Sequence, residues 1–410
     1  MAKQQRTPAS IQGPRIAILL TTLALVLLGL VMVYSSSMVK AINAGDDPYS
    51  YVVRQAIYAA IGIAACLFIW KAPILRWLHL SQVNWVLWVI VVALLGATAF
   101  FGVGDEDWGA KRWLSLGSFS LQPSEFIKVA LVVFMAYLYN EYRQGLSDWR
   151  QFLGKLLLMV IAPALVMYRA QSDLGTTIIV AVGILAVLWL GEAPGKVFLA
   201  ALALGVAFVA FSVVGSDYRA GRFIYLNPWD DGQGGQGDGW QIIHSYWAFS
   251  EGGIFGVGLG NSYEKYLYLP MAETDFIFAI IGEELGLVGA LLVMVLFAVL
   301  LFAGLRIAYA AHSSFSTMLA GAVIVMLCFQ AFLNMGCAVG AFPTTGKPLP
   351  FISSGGSSMI ASLMMVGLVL AVSDEASGPS EYDRKRENLR VVHANNASAR
   401  GFSAQRGGNR

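Results

Sequence analysis

The sequence predicts an all-α polytopic membrane protein of ten transmembrane helices, with a large extracytoplasmic loop between helices 7 and 8. Three observations predict it. Of 410 residues, 57% are hydrophobic and 13% charged, about half the charged share usual in soluble domains. Mean hydropathy is +0.65. Apolar residues gather in runs of about 20, the length that crosses a ~30 Å hydrocarbon core. The runs are residues 16–36, 52–71, 83–102, 125–142, 153–168, 175–192, 196–214, 276–305, 316–338 and 355–373. A short cytoplasmic tail, 1–15, precedes them, and a cytoplasmic tail, 374–410, follows.

The first run is longer than the roughly 7–15 residues of a signal-peptide core and no small-x-small cleavage site follows, so it reads as an uncleaved helix. With both ends inside, the cytoplasmic side collects 17 Lys and Arg and the outside nine, with Lys128 inside a span. That is the positive-inside bias. Cytoplasmic connections are short, as at "GEAP" (191–194). The tail from Ser373 is polar and lacks apolar period, which reads as disorder used for solvation or docking. A net charge of +2 gives no reason to expect nucleic acid as a partner. Cys66, Cys328 and Cys337 lie within or at the ends of spans and form no disulfide framework. The histidines at 79, 244, 312 and 393 have no zinc-ligand spacing.

The unusual chemistry falls in four outer segments, 103–123, 169–174, 215–275 and 339–354, and loops on a rigid helical scaffold are where function is usually carried. In "QPSEFIK" (122–128), Pro123 fits the first helical position and Glu125 the first turn, where the helix dipole favours an anion. Glu125 and Lys128 are i and i+3 and can pair. Capping accounts for Glu125 but not for Lys128, because an ionisable residue one turn into a span faces the bundle interior or a water-filled cavity. A functional pair is the preferred reading. Asp173 in "QSDLGTT" reads by itself as the cap of the sixth helix. "GVGLG" (256–260) lacks the strand–turn–helix setting of a dinucleotide loop. "DGWQIIHSYWAF" (238–249) has the content of a short helix at the bilayer surface, and five glycines between 232 and 239 read as a mobile lid or linker.

Four carboxylates mark the start of the eighth span. Glu283 and Glu284 lie about 12 Å deeper than Asp275 and about 100° apart, so they are not expected to share a partner. Structural ties and a functional role are balanced readings for them. Asp275 sits at the lip, within reach of a substrate arriving from bilayer or outer water. Outside the membrane there is no ATP or nicotinamide pool, so an enzyme there suits a substrate that carries its own activation. A lipid pyrophosphate qualifies. It would need Lys and Arg for its phosphates and a carboxylate as general base for an incoming hydroxyl. Lys111, Arg112, Lys128, Lys347 and Asp275 supply those types.

Taken together, "GAKRWL", "QPSEFIKVA", "SDLGTT", "GLGNSYEKYLYLP", "TDFIFAIIGEELG" and "PTTGKPLPFISSGGSS" resemble the SEDS peptidoglycan glycosyltransferases (shape, elongation, division and sporulation). The match runs in order across nearly all ten spans, and "GLGNS" and "GSFSLQPSE" look most like the cell-division branch. The resemblance implies a polymerase of lipid II, releasing undecaprenyl pyrophosphate outside the cytoplasmic (inner) membrane during septal wall synthesis. It maps the essential aspartate onto Asp275. It maps substrate-binding roles onto Lys111, Arg112, Trp113, Glu125, Lys128, Asp173, Thr274, Lys347 and Ser353. It implies a class B penicillin-binding protein transpeptidase and other division proteins as partners. No metal ligands are assigned; a divalent cation, Mg or Mn, is left open. Two departures stand out. Glu273 occupies the usual His position and Met271 the usual acid, and "PTTGK" moves the cation two places along, to Lys347. The competing readings are a lipid-precursor flippase or transporter and a non-catalytic scaffold for the transpeptidase.

Overall fold

The structure is a computed structural model that describes residues 11–104, 111–117, 119–214 and 222–377. The expected disordered tail beyond Ser377, most of the N-terminal tail, and Gly109 and Ala110 of "GAKRWL" lie outside the described residues. In chain order the helices are α1 (Gln12–Asn43), α2 (Ser50–Lys71), α3 (Ile74–Leu78), α4 (Ser81–Phe101), α5 (Pro123–Arg143), α6 (Trp149–Leu156), α7 (Ala162–Ala170), α8 (Leu174–Leu190), α9 (Gly195–Val214), α10 (Trp240–Gly252), α11 (Ile277–Ala310), α12 (Ser314–Ala338) and α13 (Gly356–Ser377). A π-helical turn, Leu157–Ile161, joins α6 to α7 just before Pro163, whose missing N–H accounts for the irregularity. A two-stranded antiparallel hairpin, β1 (Leu114–Leu116) with β2 (Phe119–Leu121), precedes α5.

Among the described residues, eight helices are long and apolar enough to cross a membrane: α1, α2, α4, the α6–α7 run, α9, α11, α12 and α13. Two of the expected spans correspond to helices outside that group, α5 with Glu125 and Lys128 inside it and the 17-residue α8. The largest shift in boundaries is in α1, which continues to Asn43 rather than ending at residue 36. Counting apolar residues stops at Ser35–Ser37, but Ser36 and Ser37 donate to Met32 O at 2.8 Å and Val33 O at 2.6 Å, so the serines need no solvent to continue the helix. At the other end of the bundle α13 runs to Ser377, past the expected limit of residue 373, and Asp374 pairs with Arg15 at 2.7 Å.

Burial ranks the helices. Of the most apolar 18-residue windows, 78% of that in α12 and 83% of that in α13 is buried, against 6% in α9, so α12 and α13 form the centre and α9 the rim. α2 crosses α13 closely through glycines. A Cβ on Gly367 would meet Cys66 O at 2.8 Å, and one on Gly62 would meet the Leu363 side chain at 2.6 Å. Backbone proximity of this kind is how apolar helices associate where no hydrophobic force separates protein from lipid. Arg15, Lys71 and Asp374 place the start of α1 and the ends of α2 and α13 on one face. Lys40 of α1 and Glu273 pair on the opposite face, which carries the candidate site.

α11 is broken rather than continuous. Gly286 has φ +68° and ψ −167°, an extended mirror-image conformation open only to glycine. The break strands the Glu283 and Glu284 carbonyls and the Leu287 and Val288 amides. Residues 253–258 take up all four: Val257 N donates to Glu283 O at 2.9 Å, Gly258 N to Glu284 O at 3.0 Å, Leu287 N to Gly253 O at 2.9 Å and Val288 N to Ile254 O at 3.2 Å. The "GVGLG" run is therefore a strap on a broken helix.

The break also revises the expectation for Glu283 and Glu284, which do meet a common partner. Ser262 Oγ donates to Glu283 Oε2 at 2.5 Å, and Ser262 N reaches Glu284 Oε1 at 3.4 Å. Sequential positions diverge by about 100° on a helix, but the loop wraps around both. Glu284 also accepts from Ser35 Oγ at 2.6 Å and pairs with fully buried Lys265 at 3.2 Å. Glu284→Gln is expected to lower folded yield sharply, because Lys265 is left buried without its counter-charge. Turnover per folded molecule should be largely kept; normal yield with abolished turnover, measured after size-exclusion purification, would contradict the structural assignment.

The glycine-rich segment is also not the free lid that its composition suggests. The Asp231 carboxylate accepts amides of Gln233 (2.9 Å), Gly235 (2.7 Å), Gly237 (2.7 Å) and Gly239 (3.3 Å), which closes the segment into a compact turn. These donors, the Gly235 amide foremost, hold the carboxyl down at about 2 against an ordinary 3.8. Because the folded value is depressed, the closure is fully present above the ordinary value and is lost as pH falls toward about 2. Asp231→Ala should open the turn at neutral pH, seen as faster protease nicking between residues 232 and 239; unchanged nicking would show that the turn does not depend on this carboxylate.

Candidate active site

Asp275 occupies the residue before Phe276, which caps α11, and four elements converge around it. Ser353 Oγ donates to Thr274 O at 2.5 Å and accepts from Leu349 N at 2.8 Å. Ser354 N donates to Glu273 O at 2.8 Å, and Gln55 Nε2 of α2 donates to Ser353 O at 2.9 Å. The Lys40 ammonium of α1 pairs with Glu273. That pairing explains what an acid does at residue 273: it ties the segment before Asp275 to the end of α1. Met271 adopts φ +56° and forms part of the same wall.

A cavity of about 300 Å³ opens in front of Asp275. Arg112, Trp113, Thr274, Asp275 and Lys347 of the expected residues line it, together with Gln122, Gln241, Asn334, Thr344 and Thr345. A second cavity of about 210 Å³ shares Trp113, Gln122, Pro348, Ser354 and Gly355 with the first, and Tyr51, Arg54, Tyr58 and Ser357 are among the residues it adds. The two form adjoining beds with Trp113 in the wall of each.

The remaining expected residues stand behind that surface. Glu125 and Lys128 are fully buried and joined at 2.6 Å, and Gln330 Oε1 of α12 also accepts from Lys128 Nζ. Asp173 caps α8 through Thr176 N at 3.0 Å and pairs with Lys347 at 2.7 Å. Although burial opposes it, Lys347 keeps the Asp173 carboxyl well below the usual range. Capping is therefore only part of what Asp173 does, since it also holds the cation of the closing loop. Arg112 donates to Gln171 O at 2.9 Å and Ser172 O at 3.1 Å, which locks the "KRW" segment to the turn that precedes α8. Lys111 and Ser353 are not among the residues lining the cavity. Ser353 instead fixes the backbone beside Asp275.

Sequence reasoning passed over Gln330 and Asn334. They lie one turn apart on α12, in an otherwise apolar run, and that i, i+4 spacing of amides was the available signal. Gln330 Nε2 donates to Pro348 O at 2.9 Å. Asn334 Nδ2 donates both to Asp275 O at 2.8 Å and to Lys347 O at 2.9 Å. A single amide thus sets the spacing between the carboxylate and the cation. Among the described residues no group of three or more His, Cys, Asp or Glu could hold a metal ion. Asp275 is the one carboxylate among the described lining residues, so a divalent cation here would depend chiefly on substrate phosphates.

The model of the FtsW/RodA/SpoVE family, described as "Cell cycle protein", matches residues 15–378. The chain belongs to that family. It is 40% identical over 364 residues to "Stage V sporulation protein E" of Bacillus subtilis, covering 88% of this chain and 97% of the relative. It is 38% identical over 366 residues to "Probable peptidoglycan glycosyltransferase FtsW" of Geobacter metallireducens, covering 88% and 95%. Its fold matches a chain of a solved assembly described as "Structural coordination of polymerization and crosslinking by a peptidoglycan synthase complex", with a TM-score of 0.67, 25% identity, and 88% and 98% of the two chains covered. The crystal structure of the rod shape determining protein RodA of Thermus thermophilus, with a TM-score of 0.62 at 24% identity, shares the fold. The FtsW/RodA/SpoVE chain described here is accordingly a multi-pass membrane protein.

Proposed function

We propose that the chain is a peptidoglycan glycosyltransferase of the FtsW type that polymerises lipid II on the outer face of the inner membrane at the division septum. The observation that carries the reading is the Asp275 cavity, where a lip carboxylate and the Lys347 cation share one wall under a fixed backbone spacing. In this reading ten helices cross the membrane, with α5 and α8 added to the eight long apolar ones, and the large loop between α9 and α11 lies outside.

The chemistry follows from the residues present. Asp275 accepts the proton of the acceptor sugar's 4-hydroxyl as that oxygen bonds to the donor's anomeric carbon. The bond from that carbon to the pyrophosphate oxygen breaks, and undecaprenyl pyrophosphate leaves with the electron pair. Lys347 sits where it can meet the leaving charge, with Arg112 in the same wall. Adjoining cavities suit a reaction between two lipid-linked sugars, with Trp113 between them. A divalent cation, Mg or Mn, would arrive with the pyrophosphate, and none of these steps is routed through it. A class B penicillin-binding protein transpeptidase is the partner that would cross-link the strands, within the wider set of division proteins.

The test is polymerisation by the purified chain in liposomes, supplied with lipid II and the transpeptidase. A ladder of glycan strands is expected. Movement of lipid II across the bilayer with no ladder would favour the transporter reading instead, and neither polymer nor movement would leave a scaffold.

A further inference from the structure

Between α10 and Asp275 the chain builds a hairpin with an apolar tip. α10 runs beside the first segment of α11. Trp240 Nε1 donates to Tyr268 O at 2.7 Å near the cavity end, and at the far end a Cβ on Gly252 would meet Gly282 O at 2.0 Å. Residues 253–263 then turn across the break at Gly286 and come back to Glu283, whose carboxylate accepts from Ser262 and Tyr263. The turn points Ile254 (61% exposed), Phe255 (82%), Val257 (39%) and Leu259 (56%) away from the protein. None of residues 253–263 carries a charge.

We propose that residues 253–263 form a re-entrant tip seated at the head-group/acyl boundary of the outer leaflet, its apolar side chains reaching ~5–10 Å into that boundary. Two observations commit the apolar surface to lipid. The first is continuity: just past the break, α11 exposes Leu287, Val288, Leu291 and Leu292, so the tip extends the surface that the helix presents to the bilayer. About 20 residues suffice to cross the hydrocarbon, and the 20 that end at Arg306 begin at Leu287, which puts the tip at the top of that layer. The second is backbone pairing: the four groups stranded at the break are all bonded within the protein, so the broken helix leaves none of them for water to satisfy where it enters the bilayer. The inference stands apart from the catalytic reading.

The experiment uses the full chain in nanodiscs of phosphatidylethanolamine and phosphatidylglycerol, with Phe255→Cys carrying an environment-sensitive fluorophore. Leu291→Cys marks lipid, and exposed Gln236→Cys marks water. Cys66, Cys328 and Cys337 are buried, and the parent chain gives their background labelling. The probe at 255 is expected to emit as blue as that at 291 and to be quenched by doxyl lipids at ~5–10 Å depth. Emission and iodide quenching like those at 236 would overturn the proposal. So would shielding at 255 that appears only when the transpeptidase is added, since that would make the tip a protein interface. Phe255 is largely exposed and has little packing to lose; Ile254→Cys repeats the measurement one residue away.

Discussion

Lys128→Ala and Glu125→Ala should each destabilise the protein by roughly 3–5 kcal/mol, because each leaves its partner charged and alone in the interior. Both side chains have no exposed surface and meet at 2.6 Å. The losses are not expected to be equal. Without Glu125, Lys128 still has Gln330 as an acceptor; without Lys128, Glu125 loses its ion pair while its Oε1 already has no hydrogen-bond partner. Lys128→Ala should therefore be the more damaging. A Glu125→Gln/Lys128→Met double variant should recover most of the stability, since no lone charge remains. Thermal unfolding in detergent, read together with polymerisation per folded molecule, checks this. Full stability and full activity in Glu125→Ala would reduce the pair to helix capping.

Much of this arrangement was legible from the chain. Apolar runs placed the helices to within several residues because spans of bilayer length have few alternatives, and three of the four segments singled out, 103–123, 215–275 and 339–354, carry most of the cavity wall. Pairings across the bundle were harder to read. Asp173 looks like a cap from its neighbours, and only folding brings Lys347, 174 positions later, to 2.7 Å from it. Glycine composition predicted mobility around residues 232–239, but composition does not register that one carboxylate, Asp231, can gather four amides. Gly286 looked like an ordinary helix residue, since its φ of +68° is set by a strap that lies far from it in a helical reading. Gln330 and Asn334 were visible as amides in an apolar span, yet their partners are backbone carbonyls of a loop, which no side-chain motif encodes.

Asp275→Asn is expected to lower polymerisation by ~10²- to 10⁴-fold, the usual contribution of a general base. The substitution keeps size and hydrogen bonding and removes most of the basicity. It leaves in place the bond from Asn334 to the backbone carbonyl of residue 275 and the hold of Ser353 on Thr274, so the loop geometry should persist. Insertion, folding and assembly with the transpeptidase should match the parent chain. The most direct measurement is strand formation from lipid II by the purified Asp275→Asn chain with its transpeptidase, resolved on a gel beside the parent. No ladder is expected from the variant and a full ladder from the parent; a ladder of equal intensity from both would contradict a general base at Asp275.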